Sequence, residues 1–228
     1  MGIGFYLRNA VRHFITITKH RHTVIGYCRR AGLFWQGLRH DLSKYAPIEF
    51  KTGIAFYTGT HSPNAEERRA KGYSEAWLHH KGRNRHHLEY WTDYDPTTGQ
   101  YAGIEMPLRY VAEMVCDRMA ASKTYQGPAY TDRSAYRYYL AGRGVTIIHP
   151  RTDALLHDLL KLLSEDGEEA LFAHLRALLR QEKKAKRAQK RGKRTHKRSG
   201  RRAVPLAGHS SDRRKAVVVS AKTKKRQQ

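Results

Sequence analysis

The chain has 228 residues, and its 44 Lys and Arg against 20 Asp and Glu give a formal net charge of +24. This length accommodates one sizeable domain with an appendage, and two cysteines exclude a disulfide framework or a cysteine-rich zinc module. We expect Cys28 and Cys116 to be buried free thiols in a reducing compartment. Because no uninterrupted apolar stretch could span a bilayer or serve as a secretory signal, the sequence predicts a cytoplasmic protein without a membrane segment.

The positive charge is concentrated at the C-terminal end. Residues 181–228 contain nineteen Lys and Arg and two acids, a net charge of +17, which leaves +7 for residues 1–180. Since such a segment cannot bury enough apolar surface to order itself, we predict a folded domain over 1–180 and a disordered Lys/Arg-rich tail over 181–228. The tail could bind nucleic acid or another polyanion without sequence specificity. A solvated appendage without a partner is the alternative.

Helical periodicity dominates residues 1–180 and predicts an all-α fold. Val24, Tyr27, Cys28 and Ala31 have the spacing of one buried helix face, and Gly32 permits a break after them. Further helices are predicted over 33–42, 65–81, 133–141, 152–164 and 168–190, and a longer one starts near residue 107 and runs through residue 121. Residues 93–103 are predicted to form a loop, and residues 145–148 are the only candidate strand.

Four histidines lie within nine residues, in the pairs His79-His80 and His86-His87. Neutral imidazole is the commonest biological metal ligand, so the cluster predicts a metal site. On a continuous helix the two pairs would lie about 10 Å apart, which is too far for a shared ion. Residues 82–84 supply the break that could fold the second pair back. The pattern does not separate His79 from His80, and one member of each pair is expected to support its neighbour.

Four further residues upstream and downstream extend the candidate site. His40 and Asp41 place an imidazole beside a carboxylate that could bridge two ions. Asp117 is an acid within an apolar helix, and a buried carboxylate needs a cationic partner. His20, one helix before His40, offers another imidazole.

The chain order of these residues resembles the HD superfamily of metal-dependent phosphohydrolases. His20, with Val24 four residues later, resembles the helix that carries the first ligand in that family and is therefore preferred to His22. The segment His40-Asp41-Leu42-Ser43-Lys44 matches the family's H-D-x-x-K form, in which the lysine faces the substrate phosphate. The resemblance implies an HD-like helical domain with one or two metal ions.

The pair His86-His87 and the segment from Asp117 to Tyr125 also resemble the HD-GYP branch, which uses additional histidines for a two- or three-iron centre. No Gly-Tyr-Pro follows His86-His87, and Ala120 stands where that branch usually has a second acid. Specificity for cyclic dinucleotides is therefore not implied. Residues 20–140 also resemble an uncharacterised bacterial and phage family that shares the sequence motifs H-D-L-S-K-Y, W-L-H-H-K-G-R-N-x-H-H-x-E-Y-W and A-S-K-T-Y.

We therefore expect a phosphohydrolase that cleaves a nucleotide or another phosphorylated small molecule, a phosphomonoester or a phosphodiester, with a water activated by two divalent ions. Fe, Mn, Zn and Mg are not distinguished. Asp41 and Lys44 are the catalytic candidates. The remaining candidates are the metal ligands His20, His40, His80, His86, His87 and Asp117, the phosphate contacts Arg83, Arg85 and Lys123, and the supporting residues His79, Asn84 and Glu89. The alternative is a non-catalytic nucleic-acid-associated protein with a structural metal and a basic binding tail.

Overall fold

A computed structural model describes the backbone of residues 2–200 and the side chains of residues 2–192. In this part of the chain the fold is helical, which confirms the predicted all-α class. The helices are α1 (Ile3–Ala31), α2 (Phe34–Arg39), α3 (Pro47–Ala55), α4 (Pro63–Lys71), α5 (Glu75–Lys81), α6 (Leu108–Gln126), α7 (Ser134–Gly142) and α8 (Pro150–Gly200). No helix among these residues is both apolar enough and long enough to cross a membrane.

The core forms where α1 packs against α6. The predicted face of α1, which carries Val24 and Cys28, is fully buried against apolar residues of α6 such as Val115. The helix ends at Gly32, whose φ of 86° is the left-handed conformation that glycine adopts without steric cost. Gly37 lets α2 approach closely, because a Cβ atom there would lie 2.6 Å from the Cβ of Cys28. The predicted break and the buried thiols are therefore present.

The predicted helix over 65–81 is two helices, α4 and α5. Gly72 ends α4 with a φ of 83°, and Ser74 begins α5 by accepting a hydrogen bond from the backbone N–H of Trp77. A glycine in the left-handed conformation typically ends a helix, and a serine that caps the next backbone N–H groups typically begins one. The change of direction matters because α5 carries the first histidine pair.

The prediction of a loop over 93–103 was wrong. These residues belong to an antiparallel hairpin of β1 (Thr92–Asp95) and β2 (Gln100–Gly103), with a four-residue turn. Tyr94 and Tyr101 face each other across the pair, with ring centroids 6.2 Å apart, and such aromatic pairs stabilise hairpins. The candidate strand at 145–148 is not a strand. The hairpin was missed because most of its residues are polar and exposed.

Helix α8 continues beyond the predicted end of the domain. It is interrupted at Gly167, where φ is 81°, and this break separates the two helices predicted over 152–164 and 168–190. Residues 181–200, predicted as the first part of the disordered tail, are helical; residues 201–228 lie outside the described part. Lys, Arg, Ala and Gln are good helix formers, and extending an existing helix needs no new nucleus. The division between compact units falls after Lys184.

Candidate metal centre

The predicted ligands come from four helices and from the segments that follow two of them. His20 lies on α1 and Asp117 on α6; His40 ends α2, directly before Asp41. His80 lies in the last turn of α5, and the pair at 86–87 follows in the non-helical segment after it. His40, Asp41, His80 and His86 are each no more than 2% exposed.

The first group of ligands joins α1, the end of α2 and α6. The Nε2 atom of His20 lies 3.0 Å from Oδ1 of Asp117, and Nε2 of His40 lies 3.4 Å from the same oxygen. Oδ2 of Asp41 lies 3.3 Å from His40 Nε2 and 3.9 Å from His20 Nε2. These four side chains each offer one ligand atom, and the four atoms lie within 4.8 Å of one another.

The second group of ligands surrounds the other carboxylate oxygen of Asp41, Oδ1. Oδ1 is 3.3 Å from Nε2 of His80 and 3.4 Å from Nε2 of His86. The Nε2 atoms of His80 and His87 are 2.9 Å apart, so the break after α5 brings the two histidine pairs together. Asp41, His80, His86 and His87 again offer four ligand atoms within 4.8 Å. Asp41 belongs to both groups.

Several of these buried atoms have no hydrogen-bond partner. They are Nε2 of His20, His40 and His86 and Oδ1 of Asp41. Leaving a buried polar atom unsatisfied costs about 1–3 kcal/mol, so four of them in one place need an explanation. Imidazole nitrogens and carboxylate oxygens directed at a common space are suitable donors for a divalent cation. The buried histidine and acid clusters could therefore hold metal.

Two buried glutamates orient the imidazoles from the opposite side. Nδ1 of His40 donates to Oε1 of Glu113 over 2.9 Å, and Nδ1 of His86 lies 3.4 Å from the same oxygen. Glu49 accepts from Nδ1 of His80 over 2.8 Å. An imidazole that donates through Nδ1 has its lone pair on Nε2, which is the tautomer needed for a ligand. Glu113 and Glu49 therefore hold the ligands in the binding form.

The backbone at Asp41 is unusual. Its φ of 52° and ψ of 27° are left-handed, and among the described residues it alone has a positive φ without being glycine. Asp tolerates this region better than most residues, and such strain clusters at functional sites. The conformation turns the chain sharply between α2 and the 3₁₀ turn Leu42–Tyr45.

Lys44 lies at the edge of the first group. Its Nζ atom is 2.7 Å from Oδ2 of Asp41, and its side chain is 26% exposed. Burial by itself would lower the pKa of Lys44, but Asp41 and then Asp117 outweigh it and raise that pKa above its ordinary value. Lys44 therefore carries a permanent positive charge beside the candidate ligands.

A model of a protein family of unknown function, DUF5662, matches residues 9–162. The chain belongs to the DUF5662 family. No curated protein and no solved structure matches it. The DUF5662 region contains every predicted ligand from His20 to Asp117 and ends before the basic segment, which agrees with the expected uncharacterised family.

The supporting residues predicted within the DUF5662 region divide between the site and its surroundings. His79 and His80 both bind Glu49 through Nδ1, over 2.6 Å and 2.8 Å, and it is Nε2 of His80 that lies 3.3 Å from Oδ1 of Asp41. The side-chain amide of Asn84 donates to the carbonyl of His80 over 2.9 Å. Glu89 forms no ion pair with these residues in the described part of the chain and instead lies near Arg118.

The predicted phosphate contacts are placed differently from one another. Arg83 and Arg85 are exposed and follow α5, close to the histidines in sequence and in space. Lys123 points elsewhere, because its Nζ atom donates to the hydroxyl of Tyr27 over 3.2 Å and lies 4.0 Å from Glu168. It is therefore set apart from the candidate ligands.

Sequence reasoning missed Glu49 and Glu113. Glu113 had a signal, since it precedes Asp117 by one helical turn and lies, like Asp117, within an apolar run. Glu49 had none, because an acid in the first turn of a helix is ordinary. Its role depends on the packing of α3 against α5.

Proposed function

We propose that this protein is a metal-dependent phosphohydrolase in which two divalent ions share Asp41. The observation that carries the proposal is the geometry of that carboxylate. Its Oδ2 atom faces the imidazoles of His20 and His40, and its Oδ1 atom faces those of His80 and His86. A carboxylate whose two oxygens face separate groups of imidazoles is suited to bridging two ions.

The remaining ligands divide between the two ions. His20, His40 and Asp117 would hold one ion with Asp41, and His80, His86 and His87 would hold the other. The resemblance of this ordered set to the HD superfamily supports the same assignment and an HD-like domain. When bound, a pair of divalent ions supplies Lewis-acid activation of water near neutral pH and positive charge for phosphoryl oxygens.

The protein groups around the ions would prepare and complement this chemistry. Lys44, with its permanent charge and partly exposed side chain, would stabilise negative charge on the phosphoester. Glu113 and Glu49 would keep the imidazoles in the binding tautomer, because each accepts an Nδ1–H bond. Arg83, which is exposed and lies between His80 and His86 in sequence, is a candidate contact for a more distant phosphate.

The test begins with the metal content of the full chain. Purified protein is reconstituted separately with Mn²⁺, Fe²⁺, Zn²⁺ or Mg²⁺ and analysed for bound metal. Each form is then assayed against a panel of nucleotides, p-nitrophenyl phosphate and bis(p-nitrophenyl) phosphate. We expect about two ions per chain in at least one form, as the shared-carboxylate arrangement requires, and turnover of at least one phosphoester.

The chain contains its own matched control for this experiment. A second adjacent pair, His157-Asp158 on α8, has an Nδ1–Oδ1 distance of 3.0 Å and belongs to neither group. Replacing His40 by Ala and Asp41 by Asn should abolish turnover and bound metal, whereas the same changes at 157 and 158 should preserve both. Less than about half an ion per chain, or turnover unchanged in His40→Ala, would refute the proposal.

The second candidate is a nucleic-acid-associated protein with a structural metal. It is favoured by the nineteen cations among residues 181–228. A catalytic metal site keeps a coordination position open for water, and a structural site does not. Bound metal without turnover of any phosphoester in the panel would favour this second candidate.

A further inference from the structure

A surface cleft lies behind the candidate metal centre, between α2 and the start of α6. Its volume is about 570 Å³, which falls in the range of small-molecule sites. The aromatic side chains Phe34, Trp35 and Tyr110 form part of its lining. The guanidinium-bearing residues in the lining are Arg39, Arg83, Arg85 and Arg109.

The four arginines form an uncompensated positive cluster. All four are exposed, and none pairs with a carboxylate within residues 2–192, whereas Arg30 and Arg143 both do. Glu113 is the acid in the lining, and its oxygens already accept from Gln36 and His40. The cleft therefore attracts anions, and guanidinium groups bind phosphate with favourable geometry.

The aromatic side chains give the cleft a second property. Trp35 is 72% exposed and Phe34 is 39% exposed, and their rings meet edge to face with centroids 5.4 Å apart. Adjacent exposed aromatic rings form a contiguous apolar patch, which is more informative than a single exposed side chain. An exposed indole offers a flat surface on which a nucleobase can stack.

The cleft adjoins the candidate metal centre through His86, which forms part of its lining. Glu113 lines the cleft and contacts His40 and His86 through their Nδ1 atoms. The Nε2 atoms of the same two imidazoles lie on the far side of the rings, toward Asp41. A phosphate held by the arginines would therefore lie on the outer side of the His86 ring, which lines the cleft.

We propose that this cleft is a binding site for a nucleoside diphosphate, with the base on Trp35 and the phosphates on the arginines. The site shares His86 with the candidate metal centre but lies on the Nδ1 side of that ring, away from Asp41. It is an addition to the hydrolytic function proposed above and does not depend on it.

The test measures binding of a fluorescent, non-hydrolysable probe to the metal-loaded full chain. The probe is N-methylanthraniloyl-labelled α,β-methylene-ADP, followed by fluorescence anisotropy. Trp35→Ala should weaken binding at least about fivefold through lost stacking. Arg39→Glu should weaken it at least about tenfold, because it removes a phosphate partner and adds repulsion. The exposed side chain of Arg39 forms no hydrogen bond or ion pair in the described part of the chain, so its replacement should leave the fold intact.

Matched controls make the same chemical changes elsewhere. Arg137→Glu alters an exposed arginine of α7, and Tyr101→Ala removes an aromatic ring that is 69% exposed on β2. Both should bind the probe as the unchanged protein does. Unlabelled adenosine and inorganic pyrophosphate should each compete more weakly than ADP, since each fills only half of the site.

Three results would overturn the proposal. The first is absence of saturable binding. The second is equal binding by the unchanged protein, Trp35→Ala and Arg39→Glu, which would assign the probe to the basic C-terminal segment. The third is a loss of probe binding in Lys44→Met while Arg39→Glu binds as the unchanged protein does. That result would place the probe at the metal centre and support only the hydrolytic function.

Discussion

Replacing Glu113 by glutamine should weaken both proposed metal sites while preserving the shape of the side chain. Glu113 contacts His40, which belongs to the first group, and His86, which belongs to the second. Both imidazoles contact the same oxygen, Oε1, and the other oxygen accepts from Gln36, so the glutamine amide group would have to face either the imidazoles or the Gln36 amide. Even with its oxygen toward the imidazoles, the neutral amide accepts more weakly than a carboxylate, which weakens the preference of both rings for the tautomer that binds metal through Nε2.

The size of the effect follows from the charge of Glu113. Burial by itself would raise the pKa of this carboxyl, but hydrogen bonds from His40 and then His86 outweigh it and bring the pKa to about 2. Relative to an ordinary 4.5, this corresponds to at most about 3 kcal/mol of favourable interaction. Substitutions at such supporting residues typically cost ten- to a hundredfold in metal affinity, or about 1.4–2.7 kcal/mol. We expect a loss in that range at each site.

The assay is competition for Zn²⁺ or Mn²⁺ against a chromophoric chelator, with circular dichroism to verify folding. Glu49→Gln is an informative comparison, because Glu49 contacts His80 but no ligand of the first group, so only one site should weaken. Glu67→Gln is the control, since this fully buried acid binds Ser74 and Lys71. Affinities in Glu113→Gln within about twofold of the unchanged protein, or an equal loss in Glu67→Gln, would refute the reasoning.

Three further outcomes are expected. Lys44→Met should lower turnover of the phosphoester found in the screen by about a hundredfold and leave the bound metal unchanged, because it removes charge beside the reacting group; an unchanged rate would exclude this role. Burial and then Lys44 lower the pKa of His13 to about 4; since this is below the unfolded value of 6.5, stability should fall as the pH decreases. Between pH 7 and pH 5 the free energy of unfolding should fall by about 2 kcal/mol on this account. Urea unfolding of His13→Gln should show a decrease over the same pH range that is smaller by that amount. A chain ending at Lys184 should lose any steeply salt-dependent DNA binding, as measured by anisotropy at several salt concentrations, and retention of that binding would contradict a role for the basic segment.

The parts of the fold that were predictable are those set by local pattern. The buried face of α1 and its end at Gly32 follow from helical spacing and from glycine's freedom to adopt positive φ. The hairpin at 92–103 could not be predicted in this way, because its exposed polar strands lack an apolar alternation. The continuation of α8 past residue 180 was missed because the prediction considered only how much apolar surface the segment could bury. Extending an existing helix does not require a new nucleus.

The candidate site was predictable where its ligands have characteristic residue types. The structure brings together His20, the pair His40-Asp41 and Asp117, together with three of the four clustered histidines. Choosing His80 over His79 required knowing which imidazole faces Asp41, and that depends on how α5 packs in the fold. Long-range contacts of this kind leave no local pattern in the sequence.

The left-handed backbone at Asp41 divides its possible replacements into two kinds. Asparagine tolerates a φ of 52° about as well as aspartate does, so Asp41→Asn changes the donor atoms and little else. Glycine adopts that φ without strain but has no side chain, so Asp41→Gly relaxes the turn while deleting the bridge. Valine is β-branched and resists the conformation, so it would disturb both. A comparison of the three variants would separate the energetic cost of holding the turn from the chemical contribution of the carboxylate.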